Sequence, residues 1–141
     1  MSLNKLRELT ESLENAELEI LAFFDLCPNL LAIVNLSGYF TKVNSYWTTT
    51  LGWSHAELTS KPWLHFVHPD DVVNTIRIFK TMVGGKKILN FVNRYKHQNG
   101  DYIRVSWDAS ELHSTKNAYC VGRILDLNIL HGLDAHNIDA T

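Results

Sequence analysis

Cysteine is scarce in this chain, with only Cys27 and Cys120 among 141 residues. Two thiols do not make a disulfide framework, and no secretory signal precedes them, so a reducing cytoplasm is the expected setting. Proline is limited to Pro28, Pro62 and Pro69, and each falls at a break between patterned segments. Basic excess is missing too: the net charge is −2 and the pI about 6.4. Nucleic acid, which calls for a basic face, is therefore not an expected partner. No apolar run approaches the roughly 20 residues that a membrane span needs. Catalytic signatures are lacking as well. There is no nucleophile elbow, no phosphate-cradling glycine loop and no acid/base pair that spacing alone would bring together. Gly84-Gly85-Lys86-Lys87 follows a helix instead of opening one, so it reads as a stop. The chain is not expected to be an enzyme.

What is there suits one globular domain with an appendage. The composition, 45% hydrophobic and 20% charged, is that of a chain able to bury a core. Its clearest stretch runs from Phe66 to Gly85. Pro69, Asp70 and Asp71 mark a helix start by a preset φ and two carboxylates at the positive end, and Gly84-Gly85 permits a left-handed exit. Val72, Ile76, Phe79 and Val83 form an apolar stripe that Val73 and Met82 widen.

Upstream, Leu6, Leu9, Leu13, Ala16, Ile20 and Phe23 recur at alternating spacings of three and four, flanked by glutamates. This predicts a helix over residues 1–23 with a sticky edge, packed either on its own domain or along a second copy. Ile20, Leu21, Phe23 and Phe24 make its end apolar on nearly all sides, so that end is expected to dock on the globular part. After Pro28, Leu30 to Leu36 reads as a buried strand, Ser37-Gly38 as a two-residue turn and Tyr39 to Val43 as a second strand. Asn44 is placed to cap a short helix ending at Gly52. Ser54 and Glu57 have capping-box spacing, in a stretch holding one-turn helices at best. Beyond the long helix, Lys87 to Lys96, Tyr102 to Ala109 and Ala118 to Leu125 read as three strands joined by turns at Gln98-Asn99-Gly100 and near Ser114 to Asn117. Short turns force antiparallel neighbours, so the fold class is α+β: a five-stranded antiparallel sheet covered on one face by helices, with an N-terminal flanking helix.

Several short motifs now stand in order: Ser37-Gly38, Val43-Asn44, Leu51-Gly52-Trp53 with Glu57-Leu58, His68-Pro69-Asp70-Asp71, Arg94-Tyr95, Asn99-Gly100, and Gly122-Arg123-Ile124-Leu125-Asp126-Leu127-Asn128. Together they resemble a PAS domain across residues 24–128, leaving 129–141 as a linker or the start of a signalling helix. The resemblance implies a sensory or protein-interaction module within a larger signalling chain, of the sensor histidine kinase or cyclic-dinucleotide type, that forms a homodimer through its N-terminal helix. It also assigns to Asp126 the tie between the last strand and the outgoing helix, ahead of a C-terminal effector domain. Leu127-Asn128 departs from the family's usual Ile-Thr, although Asn can still cap a helix.

Within that family, haem is held by a histidine on the long helix, and Asp70 to Val83 contains none. Covalent flavin chemistry needs a cysteine where this chain has Trp63 to Val67. Neither is expected. Non-covalent flavin or a small metabolite stays open, in a pocket lined by Ile33, Ile76, Phe79, Phe91, Val105, Trp107 and Val121, and so does a packed interior with no ligand. Trp107 needs a partner for its ring N–H, either a ligand carbonyl or a backbone oxygen. His65, His68 and Asp70 lack the spacing of a metal site, and no metal is expected.

Overall fold

A computed structural model of the chain describes residues 2–128 and 130. The expectation for 129–141 therefore lies outside the described residues apart from Leu130. Helix α1 (Leu3–Leu26) opens on a Ser2 side chain that accepts from the Lys5 N–H. It stops just before Pro28, where the chain turns extended. Strands β1 (Leu30–Val34) and β2 (Phe40–Val43) follow, then helices α2 (Tyr46–Leu51), α3 (His55–Ser60) and α4 (Val72–Val83), and strands β3 (Ile88–Lys96), β4 (Tyr102–Glu111) and β5 (Ala118–Ile124). All pairings are antiparallel, in the order β2-β1-β5-β4-β3. The helical segment thus carries the chain from one edge of the sheet to the other, across one face.

That face holds the core, and strand alternation decides what lies on it. In β1, Leu30, Ala32 and Val34 are buried, and in β4, Ile103, Val105, Trp107 and Ala109. Trp47 on α2 sits at the centre, with ring centroids 5.0 Å from Phe40, 5.6 Å from Tyr95 and 5.9 Å from Trp107. Such aromatic pairs add to plain area burial.

Local chemistry departs from the sequence reading in several places. The turn between β1 and β2 is not the two-residue type, because Asn35 Oδ1 accepts from the Tyr39 N–H and Asn35 to Tyr39 make a wider loop with Gly38 left-handed. Pro69 to Asp71 form a separate 3-10 turn before α4, capped by His68 Nδ1 accepting from the Asp70 N–H. The carboxylate of Asp71 goes to Arg94 instead of the helix end. The buried positions of α4 are Thr75 and Met82, while Val73 and Val83 are exposed. A hydroxyl takes a core position there because the buried Asn93 amide donates to it at 3.2 Å. Ser54 and Glu57 do form a reciprocal capping box.

The end of α1 does not dock as expected. None of its residues is buried, and Phe23 is 75% exposed. Contact is confined to its base, where Phe24 is half-buried and polar groups tie the helix down. Asn44, 2% exposed, donates its amide to the carbonyls of Phe24, Cys27 and Asn29, and its Oδ1 accepts from the Leu31 N–H. The side chain is spent on the α1–β1 junction and makes no cap for α2; that start is marked by Ser45, whose N–H and hydroxyl donate to Asp25.

Candidate functional site

Between α4 and the sheet lies a cavity of about 50 Å³, lined chiefly by apolar and aromatic side chains from α4, β3, β4 and β5. Of the seven residues expected there, Phe79, Phe91 and Trp107 line it. Val105 is fully buried but off the cavity, and Ile76 is half-buried beside it. Ile33 and Val121 stand on the opposite face of the sheet, Val121 being 38% exposed. The inward residues are their neighbours, Val34 and Cys120, because a one-residue change of parity moves a side chain across the sheet. Gly122 carried the missing signal. A glycine facing Trp107 across the β4–β5 pair fixes which set points inward, since only it leaves room for the indole.

The polar groups of the cavity are few. Trp107 Nε1–H donates to Asn93 Oδ1 at 2.9 Å, so its partner is a side-chain amide and neither a ligand nor the backbone. Burial pushes the Cys120 thiol up to about 12 and the Tyr95 hydroxyl well above its ordinary value. Both therefore stay protonated and neutral. A water takes roughly 10–15 Å³ by this measure, so the space holds a few waters, whereas ligand pockets span hundreds of Å³. A flavin would have to displace α4. Among the described residues no three His, Cys, Asp or Glu side chains are placed to hold a metal; His68 packs at a tilt against Tyr102, centroids 4.3 Å apart, and His65 meets Phe66 edge-on at 5.2 Å.

At the far end of β5, Asp126 is clamped. Its side chain is 9% exposed and accepts from the Arg104 backbone N–H at 2.7 Å and from the guanidinium at 2.9 and 3.1 Å. The Asp126 carbonyl accepts from the Leu130 N–H at 3.1 Å, so this residue joins the last strand to the outgoing turn. Burial pushes the carboxyl up, but the bonds from Arg104 outweigh it and hold Asp126 below 3.8. A like arrangement secures the start of α4. Asp71 accepts from the Arg94 guanidinium at 2.8 and 2.9 Å and from its backbone N–H at 2.8 Å, and these bonds depress its carboxyl also.

Both carboxylates are lowered, so they bind protons more weakly folded than unfolded. Their stabilisation is complete well above 3.8 and is lost as the pH falls through the lower folded values. The midpoint of urea unfolding should therefore drop between pH 5 and about pH 3, and drop less in Asp126→Asn. An equal drop in that variant would remove Asp126 from the account.

The features above define a class: an α+β domain with a roofed sheet, an N-terminal flanking helix and an aspartate at the exit of the last strand. The family model described as PAS fold matches residues 40–122, more than half of the chain. The chain belongs to the PAS family. Among solved structures it is similar to a PAS domain of an HTR-like protein from Haloarcula marismortui, with TM-score 0.69 and 17% identity over 84% of this chain and 99% of that one. It is also similar to a domain of a sensory box sensor histidine kinase/response regulator from Geobacter sulfurreducens, with TM-score 0.69 and 20% identity over 81% and 98%. A PAS domain from Colwellia psychrerythraea gives TM-score 0.67 and 16% identity over 76% and 94%. No curated protein matches the chain. At these identities the structural likeness speaks to fold. No helix among the described residues is long and apolar enough to cross a membrane.

Proposed function

We propose that this PAS domain pairs with a second copy through α1 and relays a change of state through Asp126 to an effector on its C-terminal side, of the histidine kinase or diguanylate cyclase type. The observation that carries the reading is α1 itself. It has 24 residues, none of them buried, and Leu6, Leu9, Leu13, Ala16, Ile20 and Phe23 form an unsatisfied apolar seam. An isolated helix gains little in water from propensity alone; a partner helix would bury the seam and supply what is missing. The Geobacter sulfurreducens likeness supports the choice of effector by kinship of fold only. Anything that repacks α4 against the sheet would be the input, with a small metabolite beside Phe79, Phe91 and Trp107 as its chemical form.

A second reading, a dimerising interaction module that takes no ligand, is favoured by the cavity volume of about 50 Å³. Native mass spectrometry of protein purified without denaturation separates the two. A retained small molecule supports sensing, and the bare mass supports the interaction module.

Leu13 is 68% exposed at the middle of the seam. Leu13→Asp should convert a dimer to a monomer in sedimentation without loss of fold, since nothing in the domain rests on that side chain. An unchanged mass would retire the seam. In a full-length parent, Asp126→Ala should leave the domain folded but break the dependence of output on input, and normal regulation there would refute the relay.

A further inference from the structure

The two aspartate clamps meet on neighbouring strands. Arg94 and Arg104 are direct partners in the β3–β4 register. Neither uses its backbone on the other. The Arg94 N–H donates to Asp71 and its carbonyl accepts from the His68 N–H at 2.8 Å; the Arg104 N–H donates to Asp126 and its carbonyl accepts from the Leu125 N–H at 2.9 Å. This is therefore a non-hydrogen-bonded antiparallel pair, whose Cα atoms lie about 4.5 Å apart with side chains at their closest. The two side chains leave the same face of adjacent strands, where like charges repel, and the pair is tolerable because each arginine has its own carboxylate. The outcome is a row, Asp71, Arg94, Arg104, Asp126, running from the start of α4 to the exit of β5. Asp70 and Tyr102 also face Arg94, and His68 faces Asp71.

We propose that Asp71 and Asp126 are energetically coupled through this arginine pair, so that the hold on the outgoing segment depends on the seating of α4. The regulatory use of the coupling rests on the relay reading of Asp126, but the coupling itself belongs to the isolated domain. When Asp126 loses its charge, Arg104 remains cationic on the strand beside Arg94, and Asp71, already paired with Arg94, is the remaining carboxylate of the row. Asp71 is then drawn toward two partners, and its bond to the Arg94 N–H weakens. Displacing Asp71 acts on Arg104 in the same way. Coupling of this kind is established by measurement on paired variants and not by adjacency.

The test is amide hydrogen exchange at Arg94 and Arg104 in the 141-residue chain, each rate referred to the Tyr95 amide so that a global change in stability cancels. Asp126→Asn should speed exchange at Arg94 by about fivefold or more, and Asp71→Asn should do the same at Arg104. Adding Arg104→Gln to Asp126→Asn removes the uncompensated cation and should restore Arg94 to its original rate. A bond that served only local structure would not recover. Arg94 exchange unchanged in Asp126→Asn, or still fast in Asp126→Asn/Arg104→Gln, overturns the proposal. Either result leaves the test of Asp126→Ala on output in the parent untouched, so the two ideas fail separately.

Discussion

Asn44→Ala should cost about 3 kcal/mol or more of folding stability. The side chain is nearly inaccessible and makes four hydrogen bonds, accepting from the Leu31 N–H and donating to the carbonyls of Phe24, Cys27 and Asn29. Truncation takes four bonds at once from one buried side chain, so the loss exceeds that of an ordinary exposed hydrogen bond. The effect has a second part. These bonds, with the Asp25 carboxylate that receives Ser45, tie the base of α1 to the core, so amides near the base of α1 should lose protection more than those of β4. Urea unfolding measures the first part and hydrogen exchange the second. A loss under about 1 kcal/mol would mean that the junction is held by something else.

Gly122→Ala is the second large effect, at about 2 kcal/mol. A Cβ at position 122 would lie 2.8 Å from two ring carbons of Trp107 and 2.9 Å from Val105 Cγ1. Val105 is fully buried and Trp107 is held by its bond to Asn93. Neither can yield cheaply. The indole must swing away, which also strips Asn93 of its donor. Thermal unfolding reads the cost, and a shift in tryptophan emission reads the movement. Because the clash is pairwise, Gly122→Ala combined with Trp107→Leu should lose clearly less than the sum of the two single losses. Additive losses would place the strain in the backbone instead.

Both predictions depend on features that differ in how plainly the sequence displays them. Turn glycines, period-two strands and the run of short helices announce an antiparallel sheet with one covered face, since short connections admit nothing else. The order of motifs from Ser37-Gly38 to Asp126 carries the family. The cavity was legible only in part. Phe79, Phe91 and Trp107 are large apolar residues and could be picked by type, but Ile33 and Val121 have the same character and sit outside. Hydrophobicity does not report parity when both faces of a strand hold branched residues.

Taken alone, the residues determined the element sequence, the fold class, the break at Pro28 and the heptad seam of α1, because these follow from local dihedral preferences and from spacing along the chain. Tertiary structure decided which face of α4 is buried, what Asn44 and Asp71 do with their side chains, and that Arg94 and Arg104 stand side by side. Those outcomes join residues 13 to 23 positions apart or pair strands by register. A polar side chain chooses among all the donors and acceptors that folding brings within reach, and that list does not exist until the strands have found their partners.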